Sequence, residues 1–97
     1  MTVVPHASRV EDLIRRLDDA VAGTDPHAIC SGVKRVLSDT IAGGADFLDA
    51  AYLGTAPDRY ARRLLHRDPA GRYSVVVMVW DRGQGTPLHD HAGQWCV

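Results

Sequence analysis

Residues 59–80 read RYARRLLHRDPAGRYSVVVMVW, and the period of this stretch decides the fold. Its first part alternates. Tyr60, Arg62, Leu64 and His66 share one face of a strand, while Ala61, Arg63, Leu65 and Arg67 share the other. DPAG (68–71) is a turn signal, with Pro69 fixing φ and Gly71 supplying a positive φ. The run that follows is β-branched and aromatic without alternation, so this second strand is expected to be covered on both faces. DRGQGTP (81–87) turns the chain again, and LHDH (88–91) begins a third strand.

Upstream of this stretch the period is helical. Ser8 and Glu11 fit a capping box, and Val10, Leu13, Ile14, Leu17 and Val21 form one apolar stripe, with Glu11 and Arg15 as a supporting pair and Gly23 as a stop. Asp25 and Pro26 open a second helix with the stripe Ile29, Val33, Val36, Leu37 and Ile41, ended by Gly43 and Gly44. A short third helix is expected over 45–53, before Gly54 and Pro57 break it. The fold class is therefore α+β. A helical segment (1–56) precedes the first strands of an antiparallel sheet (57–97), both parts of one domain. Three strands cannot close a barrel or a sandwich, so the chain is expected to be the front part of a longer domain.

Composition narrows the function. In 97 residues, 45% are apolar and 24% charged, an ordinary globular balance for one domain, and the net charge of −1 gives no basic field for nucleic acid or an acidic membrane. The longest apolar run, Val75 to Trp80, is too short to span a bilayer, and the first residues lack a secretory pattern. A cytoplasmic chain is expected, with Cys30 and Cys96 as free thiols.

The chemistry-bearing stretch is GQGTPLHDHAGQWCV (83–97). On a strand, His89 and His91 at i and i+2 point both imidazoles to one face, close enough for two ligands on one ion. Imidazole donors without thiolates or many carboxylates suit Fe, Mn, Ni, Cu or Zn rather than Ca or Mg. Taken alone, H-x-H also describes ordinary strand histidines. Asp90 alternates out of that face, and Met78, Trp80 and Trp95 read as core.

The stretch resembles the first motif of the cupins, G-x5-H-x-H-x4-E, with Gly83, His89 and His91 in register and Cys96 in place of the usual glutamate. That cysteine is similar to a mark of the cysteine dioxygenase branch, the thiol dioxygenases, and the resemblance runs specifically over 57–97 and loosely over 1–56. It implies the first strands of a cupin-type antiparallel barrel and one non-haem Fe(II) held by three histidines. His89 and His91 would be two of these, and the third lies outside this chain. It also implies a thioether between Cys96 and a tyrosine near the iron. Cys96 is five residues after His91 and would face away on an unbroken strand; a bulge at Ala92-Gly93 would restore it. In YAR (60–62), Arg62 matches the family's arginine for the substrate carboxylate and Tyr60 a tyrosine assisting it. Relatives that oxidise 3-mercaptopropionate carry glutamine there, so the implied substrates are cysteine and O2, giving cysteine sulfinate.

The residues themselves leave two other readings open. One is a different cupin that uses H-x-H to bind a metal for other purposes. The other is a non-catalytic product that self-associates through an open sheet edge. Under the dioxygenase reading, Tyr60, Arg62, His89 and His91 are expected on one shared concave side.

Overall fold

The computed structural model describes residues 6–86 and 95–97. Its elements run in the expected order: two helices, α1 (His6–Ala20) and α2 (Pro26–Ala42), then two 3-10 turns, then an antiparallel pair, β1 (Ala61–Arg67) and β2 (Ser74–Val79). The class is α+β, and the two-stranded sheet is not closed. The third strand expected at 88–91 lies outside the described residues. The chain divides into two compact units, Met1–Asp49 with Val97, and Ala50–Cys96.

The first unit is built on the two apolar stripes. Leu13 and Leu17 of α1 and Val36 of α2 are buried, joined by Phe47 and Leu48. Helix α1 is already formed at His6, so Ser8 lies inside it rather than capping it. Glu11 does not take Arg15; Arg15 pairs instead with Asp12, one turn back. The first change follows from a helix that starts earlier than the capping box implied; the second exchanges one helical neighbour of Arg15 for another, since i,i+3 and i,i+4 pairs both meet on a helix surface. The second helix opens as expected, the Asp25 side chain accepting from the backbone N–H of His27 with Pro26 in the first turn. It ends at Gly43, followed by Gly44 at φ +96°, a conformation that excludes most side chains. Arg9 reaches this end, 2.7 Å from Asp46, donating to the carbonyls of Gly43 and Gly44 and lying over the Phe47 ring.

Two further expectations for this part fail. Ile41 closes the predicted stripe of α2 yet is 69% exposed, because the last turn of the helix extends past the apolar contact. The predicted third helix is two separate 3-10 turns, Ala45–Phe47 and Ala50–Tyr52. Phe47 and Leu48 are buried in this stretch, and 3-10 turns are common as short connectors of this kind.

The second unit is a hairpin. The DPAG turn forms as read, with Gly71 at φ +73°, its N–H donating to the Asp68 carbonyl, and Asp68 N–H closing onto Tyr73. The strands pair Ala61 with Val79, Arg62 with Met78 and Leu64 with Val76, and then the register slips. Leu65 is the extra residue of a β-bulge, so His66 pairs with Val75 and leaves the face of Tyr60, Arg62 and Leu64. Strict alternation does not anticipate this. His66 is half-buried, its ring 5.8 Å from that of Tyr73. No residue of β2 is fully buried, contrary to the expected covering of both faces; Met78 is 38% and Trp80 45% exposed. β1 is the one strand that pairs with β2 among the described residues, and the other edge of β2 has no partner among them.

Candidate functional site

Arg62 sits where β1 is regular: the bulge comes only after Leu64, so the period of two holds from Ala61 through Leu64, and Tyr60 stands just ahead of the strand. The Tyr60 ring packs against that of Trp80, their centroids 5.4 Å apart, and Arg62 lies opposite Met78. These residues border an open groove of roughly 500 Å³ lined by Ala56, Arg59, Tyr60, Ala61, Arg62 and Arg63.

The three arginines of this groove are not equivalent. Arg63 points to the other side of the strand and donates to the carbonyls of Tyr52 at 3.1 Å and Gly54 at 2.6 Å. It holds the preceding loop and is occupied. Arg59 and Arg62 are exposed, with no hydrogen-bond or ion-pair partner among the described residues. A guanidinium left unengaged beside a tyrosine in a groove is suited to an anion that accepts a two-pronged contact.

Two turns flank the strands, one after β2 and one between β1 and β2. After β2, Gly83 adopts φ +79°, and Gln84 N–H donates to the Asp81 carbonyl at 3.1 Å. The Gln84 side chain works in both directions: its Oε1 accepts from Asp81 N–H at 2.8 Å, and its Nε2 donates to the Ala56 carbonyl at 2.7 Å. At the far end of the hairpin, Asp68 is buried and gripped by Arg72, whose Nε stands 2.7 Å from Oδ2. The Arg72 side-chain hydrogen bond is the main cause that holds the Asp68 carboxyl down at about 2. Neither Gln84 nor the Asp68–Arg72 pair was evident from spacing. The one signal at Gln84 is that it carries the only side chain between two glycines of the turn.

His89 and His91 lie outside the described residues. Among the described residues, no three His, Cys, Asp or Glu side chains converge in a way that could hold a metal ion. Cys96 is an exposed free thiol and Cys30 a half-buried one. The donors that the sequence offers, the imidazoles of His89 and His91, fit iron as they fit zinc, copper and nickel. No described helix is long and apolar enough to cross a membrane.

The sequence thus sets a glycine-shaped turn ahead of H-x-H, and the strand before it carries an arginine without a partner among the described residues. The whole of residues 1–97 matches the family model described as "Cysteine dioxygenase type I". The chain belongs to that family. It is similar to "Cysteine dioxygenase type 1" of Rattus norvegicus and of Mus musculus, 29% identical to each over 85 residues, which cover 88% of this chain and 40% of each relative. The chain thus spans about two-fifths of the length of the curated relatives it matches. No solved structure matches it significantly.

Proposed function

We propose that this chain carries the metal-binding and substrate-binding front part of an iron-dependent cysteine dioxygenase, within a cupin-type barrel that it begins. The supporting observation is Arg62: exposed, without a partner among the described residues, and set beside Tyr60 in a groove. Its family membership gives that geometry a substrate class.

In this reading His89 and His91 supply two of three imidazole ligands to Fe(II), and the third comes from outside these 97 residues. Bound iron supplies the redox chemistry by which both atoms of O2 are added to a thiol, RSH + O2 giving RSO2H. The protein's residues position the substrate. Arg62 donates two hydrogen bonds to the carboxylate of cysteine, and the Tyr60 hydroxyl assists at the same group. With the carboxylate fixed, the amine and thiol project away from β1 in a set direction. Cys96, a free thiol here, is the residue that the resemblance assigns to a thioether with a tyrosine; that bond would form by two-electron oxidation, the thiol and the ring each giving up a hydrogen with O2 as oxidant, and its part would be to order the site rather than to touch substrate. The cytosol, where thiols stay reduced, is the compartment that suits these roles.

The deciding experiment is anaerobic Fe(II) titration of the wild-type chain and of His89→Ala and His91→Ala, with cysteine-dependent O2 uptake measured afterwards. Weak iron binding by the wild-type chain, lost in both variants, is expected, with negligible turnover because two imidazoles leave the ion under-coordinated. Equal iron binding in all three proteins overturns the assignment of ligands.

A second reading has its own support. Leu64, Met78 and Trp80 are exposed on the hairpin, whose strands have unpaired edges among the described residues. In this reading the chain self-associates through those edges and does no chemistry by itself.

A further inference from the structure

We propose that Gln84 is a positioning residue for the groove that holds Tyr60 and Arg62. This rests on the reading of Arg62 as the carboxylate anchor and extends it to a residue in another turn. Ala56 forms one end of the groove, and its carbonyl is fixed by a 2.7 Å hydrogen bond from Gln84 Nε2, donated from 28 residues further along the chain. The loop between Ala56 and Tyr60 contains Pro57, Asp58 and Arg59 and has no strand or helix of its own. Two side chains tie it down. Arg63 holds the residues just ahead of it through the carbonyls of Tyr52 and Gly54, and Gln84 holds its first residue, Ala56.

Gln84 is in turn held by its own turn. Its Oε1 accepts from Asp81 N–H while its backbone N–H donates to the Asp81 carbonyl. The amide therefore has one end on the exit from β2 and the other on the approach to β1. It couples the turn that leads toward H-x-H to the wall of the groove that faces the substrate carboxylate. A side chain with only a donor or only an acceptor can make one of these two contacts and not the other.

That separation supplies the test. Gln84→Glu keeps the acceptor for Asp81 N–H and loses the donor to Ala56; Gln84→Lys does the reverse. Hydrogen exchange is measured over residues 54–62 of the full chain, and L-cysteine affinity by calorimetry on the Fe(II)-loaded protein, with Arg62→Ala alongside. Gln84→Glu is expected to speed exchange in 54–62 about tenfold and to weaken cysteine about fivefold, while Gln84→Lys stays near wild type in both. A residue that merely braced its own turn would give the opposite order. Unchanged exchange in Gln84→Glu overturns the proposal, and so does faster exchange with cysteine affinity intact. If Arg62→Ala leaves cysteine affinity unchanged, the functional reading falls instead, and the exchange pattern alone decides whether Gln84 orders the groove.

Discussion

Arg72 wraps Asp68 from three sides: its backbone N–H stands 3.0 Å and its Nε 2.7 Å from Oδ2, and its Nη2 3.3 Å from Oδ1. The carboxylate closes the turn that joins β1 to β2, and it is buried there. Its pKa is lowered from 3.8 to about 2, chiefly by the Arg72 side-chain hydrogen bond. A lowered carboxyl pKa means that the unfolded chain binds the proton more readily. The stabilisation is complete above the ordinary value and fades as pH falls from about 4 toward 2. Asp68→Asn should flatten that part of the stability–pH curve, measured by denaturation at stepped pH. A wild-type curve already flat between pH 4 and 2 would contradict the pair's role.

The helical unit rests on few residues, so single truncations separate core from periphery. Leu13 is 3% exposed between α1 and α2, whereas Ile41 belongs to the same kind of stripe but faces solvent. Leu13→Ala should cost about 2–4 kcal/mol by lost burial and a residual cavity. Ile41→Ala should stay within about 0.5 kcal/mol. Urea titrations of the two variants give the comparison. Equal losses would mean that α2 is packed differently along its last turn.

These outcomes mark what the amino-acid pattern could and could not reveal. The stripe of α1, the Asp25-Pro26 start of α2 and the Gly71 turn are local properties, and local chemistry was enough to read them. The bulge at Leu65 is set by pairing with β2, and no feature of β1 alone announces it. Ile41 and the broken third helix failed for a similar reason: period says which face is apolar, not how far the partner reaches. At the site, the exposure of Arg62 and Leu64 on one face of β1 agrees with period two. The bond from Gln84 to Ala56 spans 28 residues, and only the folded chain brings it together.

The open hairpin carries a prediction about association. Leu64 is 50% exposed on the same face as Met78, Trp80 is exposed just beyond β2, and apolar groups beside a strand edge that is unpaired among the described residues favour contact with another chain. Sedimentation of the wild-type chain should show mean mass rising with concentration, and Trp emission should shift to the blue as it does. Leu64→Lys and Met78→Lys should each reduce the effect by placing a charge on the face that meets the partner. A chain that stays monomeric throughout the range would remove the self-association reading.

Arg62 and Arg63 are neighbours on β1 with opposite duties, and one set of variants can tell them apart. Arg63 serves the carbonyls of Tyr52 and Gly54, so Arg63→Ala should lower stability and disturb the loop before β1. Arg62 has no such partner among the described residues, so Arg62→Ala should leave stability nearly unchanged. Its loss should appear in ligand affinity. Cysteine should bind the Fe(II)-loaded Arg62→Ala protein about 10- to 100-fold more weakly, as expected for two lost charge-assisted hydrogen bonds. Arg62→Lys should recover part of this, because an ammonium keeps the charge without the fork. Cysteamine, which has the amine and thiol but no carboxylate, supplies the control and should bind wild type and Arg62→Ala alike. If wild type fails to distinguish cysteine from cysteamine, the guanidinium is not reading a carboxylate, and Arg62 becomes one more exposed strand arginine.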